Sequence, residues 1–266
     1  MLFDLNTAYR LSSAQIDAYA RDGHIYLPQL VTQEVISFYH NEIRALVSKM
    51  NREHRPLEER DTYGKAFLQI FNLWRENEMM KQFVLAKRFG GVAARLMGVE
   101  RVRIYHDQAL FKEAGGGHTP WHQDQFYWPL DTDKTITMWM TLGDLTKDMG
   151  IMQFVSGSHE KGFILSTEIS DASEEFFSNY IREHQFNVHC NEAMQAGDAT
   201  FHSGWTLHNA PPNQTNTTRE VMTIIYYADG TKILKPDNTF RQNDLDAWLG
   251  GRQPGEFADS ALNPKV

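Results

Sequence analysis

The order of the hydrophobic patterns along this chain constrains its fold most strongly. Apolar residues recur at helical spacing before residue 98, whereas short runs separated by Gly-Asp and Pro-Asn turns dominate from Val102 to Tyr227. Helices first and strands later are typical of a mainly β protein with flanking helices. We therefore predict a double-stranded β-helix, a jelly-roll or cupin-like barrel, with N-terminal helices packed on one sheet.

Length is compatible with a single domain of this kind. A chain of 266 residues can bury one substantial core. We expect a helical part over about residues 12–98, a barrel over about 101–228 and a polar C-terminal tail over 229–266. Leu245, Trp248 and Leu249 predict that part of the tail docks, and the tail could also serve an interface in a homo-oligomer.

Local signals place several helices. Ser12-x-x-Gln15 is a capping box that predicts a helix ending at Gly23. Helical spacing predicts a second helix from Val35 to Met50, and a third from about 79 to 97 that stops at Gly98. Residues 51–66 are a surface loop or a solvated helix end. The stretch 157–191 is a long insertion that contains a short helix over 174–182 and could close as a lid.

A possible metal motif lies in the strand-rich part. His122 and Asp124 flank Gln123, and residues two apart on a strand point to the same face. A second histidine, His208, lies far downstream. Two imidazoles and one carboxylate are the ligand set that holds non-haem Fe(II) and leaves positions open for oxygen and a co-substrate. The pattern indicates an oxygenase, with an ordinary surface His–Asp pair as the alternative.

The segment from Gly197 to Arg219 carries the distal histidine. A Gly197-Asp198 turn opens one strand, His208 lies on a second, and Arg219 begins a third after a Pro-Pro-Asn turn. The spacing of eleven residues fits a hairpin that returns the arginine beside His208. His202 could compete with His208 as a ligand, but Ser203-Gly204 is expected to break its strand. His118, which follows three glycines, is interpreted as pocket-lining or solvated.

Taken together, these motifs resemble the phytanoyl-CoA dioxygenase-like family of Fe(II)/2-oxoglutarate oxygenases. The resemblance covers roughly residues 14–228. The residues that carry it are Pro120-Trp121-His122-Gln123-Asp124, Ser156-Gly157-Ser158-His159, Gly197-Asp198, His208 with Asn213, and Arg219.

The resemblance implies roles for particular residues. His122, Asp124 and His208 are expected to hold the iron, and Arg219 to anchor the distal carboxylate of 2-oxoglutarate. A guanidinium fork suits that task because it matches a carboxylate with two parallel hydrogen bonds. The alternative for Arg219 is a structural ion pair with one of the 34 acidic residues. Related halogenases carry a small residue at the aspartate position, so Asp124 favours hydroxylation over halogenation.

Gln108 and Trp139 match further co-substrate contacts of the family. Trp139 lies on the strand Thr135–Leu142, whose Thr/Trp face fits either a barrel interior or an ordinary outward face. Some family members place a lysine where this chain has Phe67. That difference leaves Gln69, Asn72 or no residue of this region to replace the contact.

The sequence says less about the substrate. Aromatic and polar side chains near the metal motif predict a pocket for a small molecule, with Gln125, Trp128 and Trp205 as its expected residues, although Trp205 could also be ordinary core. The sequence contains no cluster of lysine and arginine residues that would indicate a site for the phosphates of coenzyme A.

The net charge and the N-terminal sequence limit which partners and which cellular location we expect. The net charge of −8 argues against a nucleic-acid partner. The single cysteine, Cys190, excludes an internal disulfide, and neither an export signal nor an apolar run of membrane-spanning length is evident. We expect a cytoplasmic protein that uses Fe(II), 2-oxoglutarate and O2 to hydroxylate a metabolite, releasing succinate and CO2. A cupin-type metalloenzyme without 2-oxoglutarate and a non-catalytic ligand-binding barrel are the alternatives.

Overall fold

The computed structural model describes residues 3–266. Met1 and Leu2, which begin the N-terminal stretch that lacks an export-signal pattern, lie outside the described residues. Helices precede most strands, as predicted. The helices are α1 (Ser13–Asp22), α2 (Gln33–Met50), α3 (Thr62–Ala66), α4 (Glu78–Val84), α5 (Lys87–Met97), α6 (Asp171–Glu183) and α7 (Thr239–Trp248).

The strands are short and concentrated between residues 102 and 228. They are β1 (His24–Leu27), β2 (Leu68–Phe71), β3 (Val102–Lys112), β4 (Thr119–His122), β5 (Thr135–Thr141), β6 (Leu145–Thr146), β7 (Gln153–Val155), β8 (Val188–Cys190), β9 (Ala193–Met194), β10 (Ala199–Ser203), β11 (His208–Ala210) and β12 (Arg219–Ala228).

Two antiparallel sheets form the framework. The large sheet has the order β1-β10-β5-β12-β3-β2, and the small sheet has the order β4-β11-β7-β8. Side chains from both sheets line one cavity between them, while β6 and β9 pair separately. This is the mainly β architecture with flanking helices that the sequence predicts.

The main core lies between the helices and the outer face of the large sheet. Ile136, Met138 and Met140 of β5 pack there with residues of α2, α4 and α5, such as Phe83 and Phe89. The other face of β5 points to the cavity, since Thr137 and Trp139 line it. The alternating pattern of β5 therefore separates core from cavity, and the polar face belongs to the interior.

Local signals explain the helix ends. The Ser12 hydroxyl accepts from Gln15 N at 3.2 Å and the Gln15 side chain accepts from Ser12 N at 2.9 Å, which completes the predicted capping box. Gly23 ends α1 at a φ of 76°. One prediction is wrong: residues 79–97 form two helices, because the chain turns at Leu85 and Ala86 so that each helix buries its own apolar face.

The remaining helical predictions agree with the structure in outline. A helix does occur inside the 157–191 insertion, as α6, and the 51–66 stretch contains a short 3-10 turn followed by α3. The tail docks through buried Leu245 of α7 and buried Leu249 directly after it, which pack with Tyr105, Trp128 and Ile225. Among residues 3–266, none of the helices combines the length and the apolar character needed to cross a bilayer.

Candidate metal and co-substrate site

Two histidines and one aspartate meet at the edge of the cavity. His122 at the end of β4 is the register partner of His208 at the start of β11. Asp124 follows β4 in a 3-10 turn instead of extending the strand, but Gln123 stays extended, so Asp124 lies on the same side as His122. Asp124 Oδ1 is 3.6 Å from both His122 Nε2 and His208 Nε2. One potential ligand atom from each residue lies within 4.8 Å of the others.

Backbone carbonyls set the tautomer of both imidazoles. His122 Nδ1 lies 2.7 Å from Pro120 O and His208 Nδ1 lies 2.9 Å from Thr206 O. A carbonyl oxygen only accepts, so each Nδ1 carries the proton and each Nε2 presents a lone pair toward Asp124. Burial and neighbouring imidazoles lower the pKa of His208 well below its ordinary value, which keeps the ring neutral. The donor set therefore fits a divalent transition metal.

The second oxygen of Asp124 is held by the large sheet. Thr137 Oγ1 donates to Asp124 Oδ2 at 2.9 Å, and His202 Nε2 lies 3.3 Å from the same oxygen. Thr137 and His202 are register partners on β5 and β10. The break at Ser203 that the sequence predicts is present, so His202 lies behind Asp124 and is not part of the three-residue cluster. Only its proximity to His208 in sequence signalled this contact.

Arg219 is a buried cation without an acidic partner. It is 1% exposed, its Nη1 donates to Gly150 O, and its guanidinium lies 5.3 Å from the Trp139 ring centre. Among residues 3–266 no carboxylate forms an ion pair with it, and its Nε has no hydrogen-bond partner. The structural ion pair considered as an alternative is therefore wrong. Burial lowers the pKa of Arg219 to about 9.

The path from His208 to Arg219 differs from the predicted hairpin. β11 belongs to the small sheet, whereas β12 pairs with β3 and β5 of the large sheet. The Pro-Pro-Asn segment carries the chain across from one sheet to the other, so the two residues line the cavity from different sheets. Register then places Lys112 opposite Arg219, and burial, with Arg219 beside it, lowers the pKa of Lys112 to about 6.

The cavity has a volume of about 430 Å³ and brings most of the predicted site residues together. Gln108, Trp128 and Trp139 line it with the metal cluster and Arg219. Phe67 and Gln69 also line it, and Gln69 Nε2 donates to Gln108 Oε1 at 2.6 Å.

Two predicted substrate residues point elsewhere. Gln125 is buried against the following loop, where its Nε2 donates to Thr132 O at 3.1 Å and its Oε1 accepts from Thr135. Trp205 lies in the turn between β10 and β11 and donates to Asp133 Oδ1 at 2.8 Å. Neither residue lines the cavity. For Gln125 the reason is the 3-10 turn that begins at Asp124, which directs its side chain away from the cavity.

Several cavity residues were not among the site residues that the sequence predicts. They are Tyr63, Phe71, His106, Phe240, Asp244 and Trp248. Three of these belong to α7, more than 100 residues from the metal motif. No local pattern marks such contacts, although the apolar residues of the tail do indicate that it docks.

Comparison with known proteins identifies a family and several relatives of this chain. The family model described as Phytanoyl-CoA dioxygenase (PhyH) matches residues 19–221. An ectoine dioxygenase from Streptomyces avermitilis is 21% identical, over 85% of this chain and 82% of its own. A methylphosphonate hydroxylase from Gimesia maris is 23% identical, over 82% of this chain and 81% of its own.

The fold also matches solved structures. The non-heme alpha ketoglutarate dependent carbocyclase SnoK from nogalamycin biosynthesis superposes with a TM-score of 0.79 at 22% identity, covering 96% of each chain. At this identity the likeness describes the architecture of two facing sheets with flanking helices.

Proposed function

The chain belongs to the phytanoyl-CoA dioxygenase (PhyH) family of Fe(II)/2-oxoglutarate oxygenases, and from this premise we propose that it hydroxylates a small molecule with release of succinate and CO2. His122, Asp124 and His208 would hold Fe(II), and Arg219 would bind the distal carboxylate of 2-oxoglutarate. Relatives carry names that refer to different substrates, ectoine and methylphosphonate, so the family alone leaves the substrate open.

One observation carries the proposal. A metal-ready cluster and a buried, unpaired arginine line the same cavity. A buried guanidinium without an anionic partner is costly, and a carboxylate supplied by a ligand would offset that cost. A metal-binding barrel without a dicarboxylate co-substrate has no need of such a cation. This favours the oxygenase over both alternatives.

Each part of the chain has a defined task in this scheme. Fe(II) and 2-oxoglutarate, when bound, supply oxygen activation coupled to decarboxylation of the oxoacid to succinate. The Nδ1 bonds to Pro120 O and Thr206 O hold both imidazoles in the ligand orientation. Gly150 O fixes one end of the Arg219 guanidinium, and Trp139 supports its plane. The aromatic walls exclude water from the reacting carbon.

We also propose that residues 1–266 act as one catalytic domain. The predicted helical part contributes Phe67 and Gln69 to the cavity, the barrel contributes the metal cluster and Arg219, and the tail contributes α7. Removal of any of the three parts would open the cavity.

Anaerobic titration with Fe(II) and then 2-oxoglutarate tests the proposal. We expect a visible charge-transfer band from the chelated oxoacid in the wild-type protein, because a bidentate oxoacid on Fe(II) produces one. His208→Ala should lose the metal, the band and iron-dependent succinate formation. Arg219→Lys should keep metal binding but weaken the binding of 2-oxoglutarate by at least about tenfold. Lysine offers a point charge where the guanidinium offers two parallel hydrogen bonds.

Exposed residues provide matched controls. His54→Ala and Arg182→Ala remove the same side-chain types from exposed positions and should leave the band unchanged. Bound iron without a band in the wild-type protein would overturn the use of 2-oxoglutarate and direct attention to other metal chemistry.

A further inference from the structure

The cavity has an end that the metal and co-substrate residues do not occupy. We name it the α7 compartment and define it by Phe71, His106, Trp128, Phe240, Asp244 and Trp248, all of which line the cavity. His106 and Lys112 lie six residues apart on β3, and Lys112 is opposite Arg219. At about 3.3 Å per residue the compartment is about 20 Å from the arginine end.

Aromatic rings build the wall of the α7 compartment. The ring centre of Trp248 lies 4.8 Å from that of Phe71 and 5.0 Å from that of His106, and Phe71 lies 5.2 Å from His106. Phe240 continues the wall through Tyr127, at 5.6 Å. The faces of such rings carry negative quadrupole charge, which attracts a desolvated cation.

The charged groups at this end are acidic. Asp244 lies on α7 and accepts a hydrogen bond at Oδ2 from Tyr105 at 2.8 Å. Glu168 lines the cavity next to Ile169, whose N–H donates to Tyr127. Of the residues 3–266 that line the cavity, Arg219 is the only lysine or arginine, and it lies at the far end. No protein cation therefore neutralises Asp244 from within the cavity.

A histidine in the same wall has no hydrogen-bond partner for one of its ring nitrogens. His106 is 4% exposed, and its Nδ1 has no hydrogen-bond partner among the described residues. Buried polar atoms in native proteins are normally paired. Burial lowers the pKa of His106 to about 3, so the ring is neutral and can donate to or accept from a ligand without repelling a cation.

We propose that the α7 compartment binds a positively charged nitrogen of the substrate, with Asp244 as the counter-ion, Trp248 and Phe71 as the aromatic face and His106 as a hydrogen-bonding partner. The inference rests on the proposed function, since it describes the substrate end of the same cavity. An anionic substrate would instead face Asp244 and Glu168 with no lysine or arginine at that end. A neutral substrate would leave the Asp244 carboxylate without a counter-ion.

Matched pairs of small probes test the charge requirement. The wild-type protein is loaded anaerobically with Fe(II) and 2-oxoglutarate, and binding is measured by calorimetry. Choline is compared with its uncharged isostere 3,3-dimethylbutan-1-ol, and propylammonium with 1-propanol, while methylphosphonate serves as the anion. We expect at least one cation to bind about tenfold more tightly than its neutral counterpart.

Two neighbouring aspartates on α7 provide the variant and its control. Asp244→Asn keeps the shape and can still accept from Tyr105, but it removes the charge and should abolish most of the preference for the cation. Asp246→Asn changes the net charge equally at an exposed position on the same helix and should preserve the preference. Trp248→Leu, which removes the aromatic face, gives a second test that does not depend on folding of Asp244→Asn.

The outcomes separate this inference from the proposed function. With the charge-transfer band present in the wild-type protein, four results would overturn the inference alone. They are failure of both cations to bind, equal binding of the neutral probes, preferred binding of methylphosphonate, and an undiminished cation preference in Asp244→Asn or in Trp248→Leu. Absence of the band in the wild-type protein would overturn the proposed function instead.

Discussion

At the scale of single side chains, Asp124 divides its two carboxylate oxygens between different neighbours. Oδ1 faces the two imidazoles, whereas Oδ2 is held by Thr137 and His202. We infer that Asp124 presents one ionised oxygen to a metal while the other is fixed in place, so the carboxylate loses little freedom when an ion binds.

Asp244 leads to a prediction about pH. Burial raises the pKa of this carboxyl to about 7 in the free protein. Choline carries a fixed charge and requires the ionised form, so we expect its affinity to be about tenfold weaker at pH 6 than at pH 8. The groups that face Asp244 are Tyr105, Trp248, His106, Tyr63 and, across the cavity, Glu168.

His106, Tyr105 and Tyr63 do not titrate over that interval in a way that would mimic the effect. Burial keeps His106 neutral and raises the pKa of Tyr105 well above its ordinary value and that of Tyr63 to about 12. Calorimetric titration of Asp244→Asn across the same pH range should give a flat profile. A wild-type affinity that is constant from pH 6 to pH 8 would contradict the role of Asp244 as counter-ion.

At the scale of elements, Asp107 on β3 holds the turn that follows β2. Its carboxylate accepts from Leu73 N at 2.8 Å and Trp74 N at 3.2 Å, and its own carbonyl accepts from Asn72 N. Asp107→Ala would leave two buried N–H groups unpaired, and we expect a loss of about 2–4 kcal/mol in the free energy of unfolding. Urea denaturation measures it, with Asp17→Ala on the exposed face of α1 as a control expected to change little.

Replacing Asp107 with asparagine separates the effect of its hydrogen bonds on stability from the effect of its charge. Burial raises the pKa of Asp107 to about 7, above the unfolded value, so the wild-type protein loses stability as pH rises toward 7. Asp107→Asn lacks this loss. The free energy of unfolding that Asp107→Asn loses relative to the wild type should therefore be smaller at pH 8 than at pH 5. A loss that grows with pH would contradict a raised pKa at Asp107.

Elements whose signals lie within a few residues were predictable from the sequence. The capping box at Ser12 and the apolar stripe of α2 act locally. The spacing of His122 and Asp124 is also local, whereas His208 was assigned to the ligand cluster through the family resemblance. Sheet partners are different, since they depend on contacts between distant segments. For that reason the sequence predicted a hairpin between His208 and Arg219, which lie in different sheets, and did not anticipate Asp244 in the cavity wall.

At the scale of the whole molecule, the proposed site spans the two sheets. His122 and His208 come from the small sheet, while Arg219 and the residues that hold Asp124 Oδ2 come from the large one. Fe(II) and 2-oxoglutarate bound together would therefore connect the sheets through ligands that neither sheet supplies alone. The unfolded chain cannot reproduce this arrangement, so binding should stabilise the native state by mass action.

Anaerobic thermal unfolding should reveal this coupling. At one hundred times its dissociation constant a ligand adds about 2.7 kcal/mol, which corresponds to an increase of about 5–10 °C in Tm for a chain of this size. We expect Fe(II) to raise the Tm, 2-oxoglutarate to raise it further only when the metal is present, and a chelator to reverse both increments. Arg219→Lys should retain the metal increment and lose about half or more of the second one. If 2-oxoglutarate stabilised that variant as strongly as the wild type, Arg219 would not be its anchor, and the two sheets would be connected through the metal alone.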